Sequence, residues 1–164
     1  MNKPVATLLL LATVATTASS CGGGTGAPPA ARMIGVTLLT RVHLFYRDLE
    51  AGLEEAAKQN GYRLSVASAE FDLGKQASQI EDFVARKVDA IVVCPVDSRG
   101  VGPAIRRANE AGIPVFTADI AAQEGDVVCH VASDNAAGGR LAGEYLAKLL
   151  GGRGTLAIVN QPAI

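Results

Sequence analysis

From Met33 onward, short continuous apolar runs alternate with longer stretches in which apolar residues recur every three or four positions. The first pattern predicts buried strands and the second amphipathic helices. MIGVTLL (33–39) reads as strand one. FYRDLEAGLEEAAKQNG (45–61) reads as a helix, with Phe45, Leu49, Leu53 and Ala56 on one face and Gly61 as its stop. YRLSVASAE (62–70) is strand two, and GKQASQIEDFVARK (74–87) is a helix that turns Ile80, Phe83 and Val84 to one side. VDAIVVCP (88–95) is strand three, closed by Pro95. RGVGPAIRRANEAG (99–112) is a helix ended by Gly112, a residue suited to the left-handed turn that closes helices. PVFTAD (114–119) and DVVCHVAS (126–133) are strands four and five. AAGGRLAGEYLAKLLGG (136–152) is a helix with Leu141, Tyr145 and Leu149 in line, and TLAIVN (155–160) is strand six.

The strands do not alternate inward and outward residues, which is the mark of strands covered on both faces. Helices between successive strands make right-handed crossovers the default. The fold class expected is therefore α/β, a Rossmann-like open parallel sheet with helices on both faces. Ligands in such sheets bind beyond the carboxyl ends of the strands. The stretches that matter are thus 41–46, 69–72, 95–98, 119–121 and 133–135. Asp119 stands out among them, because it ends an otherwise apolar strand and an unpaired buried carboxylate is costly. It either caps a turn or loop N–H or faces a ligand.

Composition narrows the function. The 164 residues are 49% hydrophobic with a net charge of −1, so the chain has the means to fold and lacks the basic surface that nucleic acid requires. No zinc-type grouping of Cys and His is present. With no Trp, four Phe and three Tyr, the position of each aromatic is informative. Residues 1–20 have the charged start, apolar run and small-residue end of a bacterial secretory signal. Ala18-Ser19-Ser20-Cys21 resembles a lipobox, with Ala18 where Leu is usual, so Cys21 is a candidate lipidation site. The plainer reading is an ordinary cleaved signal. Residues 21–32 form a Gly/Pro-rich tether. Cys94 and Cys129 lie in strand-like runs and are expected to be buried free thiols, although a disulfide between them is open to an exported protein.

VDAIVVCPVDS, ANEAGIPVFTAD and HVASDNAAGGRLAGEYLAK together resemble the periplasmic sugar-binding proteins of ABC transporters, the ribose-binding group in particular. The resemblance runs from Met33 to the end of the chain. It implies two Rossmann-like lobes joined by hinge strands, with a monosaccharide clamped between them and delivered to an ABC permease. The lactose-repressor family shares that fold, but a signal stands where its DNA-binding headpiece would be. The domains implied are the N-terminal sugar-binding lobe at 33–134 and the start of a second lobe at 135–164. The chain then reads as an N-terminal fragment, with the second lobe's ligand residues beyond Ile164.

Relatives carry an Asn two residues before paired aromatics; here these positions are His43, Phe45 and Tyr46. The resemblance implies that Phe45 and Tyr46 wall the sugar, against the alternative that Phe45 is helix core. His43 is either a polar contact or a surface residue. The family's Asp at the end of strand four matches Asp119, which the resemblance makes a ligand residue. Ribose binders follow it with an Arg, and Ile120 stands there instead. Asp134 and Asn135 read as a helix start near the hinge. The expected function is the solute-binding subunit of an ABC sugar importer, exported to the periplasm or cell envelope and membrane-associated through a lipid on Cys21. A signalling or chemotaxis receptor of the same fold, autoinducer-2-like or sugar-specific, is the alternative. No G-x-G-x-x-G follows strand one, and no phosphate loop, Ser-His-Asp set or metal set is evident, so no enzyme activity, cofactor or metal is expected.

Overall fold

The computed structural model describes residues 32–159. The signal, Cys21 and all of the tether but Arg32 lie outside the described residues. The elements run β1 (Met33–Leu38), α1 (Leu44–Gln59), β2 (Arg63–Ser68), α2 (Leu73–Ala85), β3 (Ala90–Val93), α3 (Gly102–Glu110), β4 (Val115–Ala118), β5 (Cys129–Val131) and α4 (Asn135–Leu149). The five strands form one sheet in the order β2-β1-β3-β4-β5, and every pairing is parallel. Val36 stands opposite Val66 on one side and Val92 on the other, and Val92 in turn faces Phe116.

Strand alternation sorts the core into two layers. Val36, Leu38 and Cys94 pack with Tyr46, Leu49 and Leu53 of α1. Ile91, Val93 and Val115 pack on the other face with Ile80 and Phe83 of α2 and Ala104, Ile105 and Ala108 of α3. The sheet is therefore covered on both sides, as continuous apolar strands require. Gly35 belongs to the second face, where an added Cβ would lie 2.6 Å from the Phe83 ring, so only glycine lets α2 sit this close to β1. Gly112, at φ +75°, ends the α3 segment as its position in sequence predicts.

Three expectations need correction. TLAIVN forms no strand over residues 155–159, where Ile158 and Val159 are almost fully exposed. A strand persists through its ladder, and these residues pair with nothing among the described residues. Strand five contracts to three exposed residues at the sheet edge, so Cys129 is exposed rather than buried; both described cysteines are free. The packed face of α1 keeps Leu49 and Leu53 as expected but differs at its ends: Tyr46 and Ala57 are buried, while Phe45 and Ala56 are not. Phe45 is therefore not helix core. α4 buries none of its residues; Leu141, Tyr145 and Leu149 remain 66%, 65% and 65% exposed.

The chain leaves β1 through α1 toward β2, then crosses back through α2 to β3 on β1's other side. The connections thus diverge between β1 and β3, and the carboxyl ends of these strands open a crevice.

Candidate functional site

β4 ends at Ala118 and the chain turns at once. Asp119 has φ +68°, a left-handed conformation that L-residues other than Asn and Asp rarely adopt. The Ile120 N–H donates to the Ala118 carbonyl at 2.9 Å, closing a three-residue turn around Asp119 of the strained γ type. The Asp119 N–H donates to the Val131 carbonyl at 2.9 Å, which fastens the turn to the end of β5. Strain of this kind persists where surrounding bonds over-determine it, and such residues concentrate at functional sites. Beyond the turn, the Tyr46 hydroxyl donates to Asp119 Oδ2 at 2.6 Å.

Tyr46 arrives there because α1 begins just after β1. His43 is the N-cap of this helix, and its Nδ1 accepts from the Phe45 N–H at 3.2 Å. An accepting Nδ1 assigns the proton of the neutral ring to Nε2. Phe45 and Tyr46 follow, edge to face, with centroids 5.1 Å apart and planes at 87°. They do different things. Tyr46 is only 7% exposed and spends its hydroxyl proton on Asp119; Phe45 is 40% exposed and keeps a free surface. Burial, then the hydrogen bond and the negative charge of Asp119, push the Tyr46 phenol well above the usual tyrosine value. Burial, with the Asp119 charge second, pushes the Cys94 thiol up to about 12.

These residues share one cavity of about 420 Å³, lined by His43, Phe45, Tyr46 and Asp119 together with Leu39, Phe71 and Ile120. All four side chains expected at a ligand site from sequence are therefore brought together. Phe71, inside the strand-end stretch 69–72 but not among the named candidates, lines the cavity as well; an aromatic just past strand two, in a chain with four Phe, is the signal that points to it. Glu70 and Phe71 both have positive φ, +53° and +63°. The Glu70 carboxylate accepts from Ser68 Oγ at 2.5 Å and Thr40 Oγ1 at 2.9 Å, and the Phe71 N–H donates to Leu39 O at 3.1 Å. Those bonds hold the loop against the end of β1, with Phe71 at the cavity.

The other strand-end acids are occupied locally. Asp97 accepts from the Arg99 and Gly100 N–H groups at 2.9 and 2.6 Å, and these bonds, that of Gly100 foremost, lower its pKa. Asp134 caps α4 through the Ala137 N–H at 2.8 Å, as a helix start should. Asp97 thus acts as a loop cap. None of the described residues lining the cavity is a Lys or Arg; Arg41, nearby in sequence, is held by both oxygens of Glu50. Among the described residues no group of His, Cys, Asp and Glu is placed to hold a metal ion.

Comparison with known proteins agrees with this fold. Residues 34–163 match the family described as periplasmic binding protein domain. The ribose import binding protein RbsB of Bacillus subtilis (strain 168) is 38% identical over 118 residues, covering 72% of this chain and 39% of that protein. The xylitol-binding protein of Mycolicibacterium smegmatis is 33% identical over 140 residues, 85% of this chain and 40% of that protein. Among solved structures, an ABC transporter solute-binding protein from Mycobacterium smegmatis with bound glycerol superposes with a TM-score of 0.70 at 33% identity, covering 73% of this chain and 41% of the other. A periplasmic solute-binding protein from Actinobacillus succinogenes with bound D-allose gives a TM-score of 0.65 at 31% identity over 73% of this chain and 45% of the other. The chain spans about two fifths of the length of the curated relatives it matches.

Proposed function

The chain belongs to the periplasmic binding protein domain family, and from that premise we propose that it acts as a solute-binding subunit of an ABC sugar importer. It binds a monosaccharide or a related polyol and carries no reaction of its own. The observation that supports this most is the cavity at the strand carboxyl ends, where the Asp119 carboxylate, the free Phe45 surface and the His43 ring converge. A carboxylate has about four lone-pair sites. Tyr46 occupies one and orients the group; the others accept from adjacent sugar hydroxyls, and charged acceptors make the stronger bonds. Phe45 offers its ring to the C–H face of a sugar, whose weakly positive hydrogens suit the negative π face. His43 presents Nε2–H as a donor. In the two-lobe arrangement of the family a second lobe closes over the ligand, and the permease recognises the closed form. The chain is exported by residues 1–20 and tethered through a lipid on Cys21.

A panel of pentoses, hexoses and pentitols, followed by ligand-observed NMR on the full-length protein, tests the reading. At least one is expected to bind, and Asp119→Asn is expected to weaken it about ten- to a hundredfold, the cost of one charged hydrogen bond of about 1.5–3 kcal/mol. Absence of binding across the panel contradicts the reading. So does an Asp119→Asn variant that melts far lower yet binds equally well when folded, because Asp119 would then be structural. Radiolabelled palmitate should enter the wild type and not Cys21→Ala; equal labelling removes the lipid anchor alone.

A further inference from the structure

We propose that Ile120 makes this site selective for a sugar or polyol bearing an apolar carbon, a deoxy or methyl-substituted position, next to the hydroxyls that Asp119 accepts. The inference rests on the sugar-binding reading and adds a ligand class to it.

Ile120 follows the carboxylate directly, and the turn closed by its own N–H leaves both residues lining the cavity. An isoleucine neither donates nor accepts. Around it the walls are Leu39, Phe45 and Phe71, so one carboxylate is set in an apolar surround. Side-chain donors are few. The Tyr46 proton is spent on Asp119 and the Arg41 guanidinium on Glu50, which leaves His43 Nε2–H among the lining residues. A sugar hydroxyl both donates and accepts. One pressed against Ile120 gains no partner from this wall of the site, whereas a CH₂ or CH₃ group there buries apolar surface against apolar surface. Removing a single oxygen at that position is therefore favourable here, the reverse of its effect in a site built to hydrogen-bond it.

The test is saturation-transfer NMR with competition on the full-length protein, using pairs that differ by one oxygen: D-galactose and D-fucose, D-glucose and 6-deoxy-D-glucose, D-ribose and 2-deoxy-D-ribose. In at least one pair the deoxy member should bind about tenfold tighter, with the strongest saturation on its deoxygenated carbon. Ile120→Thr should narrow that preference and Ile120→Arg should reverse it. Thermal melts check that each variant folds, and the smaller but still β-branched threonine keeps the test decisive if the arginine variant does not. Parent sugars that bind as well or better in every pair, or a preference unchanged by the folded variants, overturn the proposal while leaving sugar binding intact. If none of the six sugars receives saturation, the sugar-binding reading fails and this proposal falls with it.

Discussion

Tyr46 and Asp119 are 73 residues apart in sequence and 2.6 Å apart in space. The pair gives Tyr46 a role different from that of its neighbour Phe45: it orients the carboxylate rather than stacking on a ligand. Tyr46→Phe keeps the packing and removes the bond. It should cost about 1–2 kcal/mol in chemical denaturation and lower sugar affinity severalfold, because Asp119 loses its orientation. The pair also carries a pH signature. The folded pKa of Tyr46 is raised, so its contribution to stability is complete below the unfolded value near 10 and declines as pH rises from there through the folded value. The wild type should thus lose stability above about pH 10 more steeply than Tyr46→Phe, as followed by denaturant midpoints across alkaline pH. Identical slopes would remove Tyr46 as the cause.

At the scale of elements, α2 is fastened to the sheet by a side chain that the hydrophobic pattern does not reveal. Gln76 is fully buried on a helix otherwise held by Ile80 and Phe83. Its Nε2 donates to the Cys94 carbonyl at 2.9 Å, and its Oε1 accepts from the Val96 N–H at 2.9 Å. One amide therefore satisfies the backbone where β3 has ended and no ladder continues. Gln76→Leu is close in volume but leaves a buried carbonyl and N–H without partners. It should destabilise the fold by about 2–4 kcal/mol, read from the urea midpoint, as two unsatisfied groups require. A change below about 0.5 kcal/mol would mean that water replaces the amide without penalty.

At the scale of the molecule, the core is finished by β4 and α3, while α4 remains outside it. Gly138, Gly139 and Gly143 weaken this helix, and nothing lies within 4 Å of where their Cβ atoms would be. Its apolar residues face solvent. Local openings should therefore expose α4 amides to exchange well before those of β1 and β3. The double variant Leu141→Lys, Leu149→Lys should reduce binding of a hydrophobic dye while shifting stability by less than about 0.5 kcal/mol, as surface changes do. A sharp fall in melting temperature would show instead that this face is packed in the folded chain.

The order of elements, the parallel sheet with two covered faces, and the end of the sheet where a site belongs all follow from local patterns. Continuous apolar runs, helical spacing and glycine stops are properties of neighbouring residues, and they survive whatever the tertiary packing does. The same logic marked Asp119, an acid ending an apolar strand, and the resemblance added His43, Phe45 and Tyr46. What a pattern leaves open is which of two adjacent helical residues turns inward. Neighbours on a helix point about 100° apart, and here Tyr46 joins Leu49 and Leu53 against the sheet while Phe45 stays half-exposed. Phe71 entered the cavity through two successive left-handed residues held by Thr40 and Leu39, contacts that no short window of sequence contains. TLAIVN has the composition of a strand but, over 155–159, no ladder among the described residues, and DVVCHVAS keeps only an exposed edge. Apolar composition is local, whereas pairing and burial require a partner surface, and the tertiary structure alone determines where that surface lies.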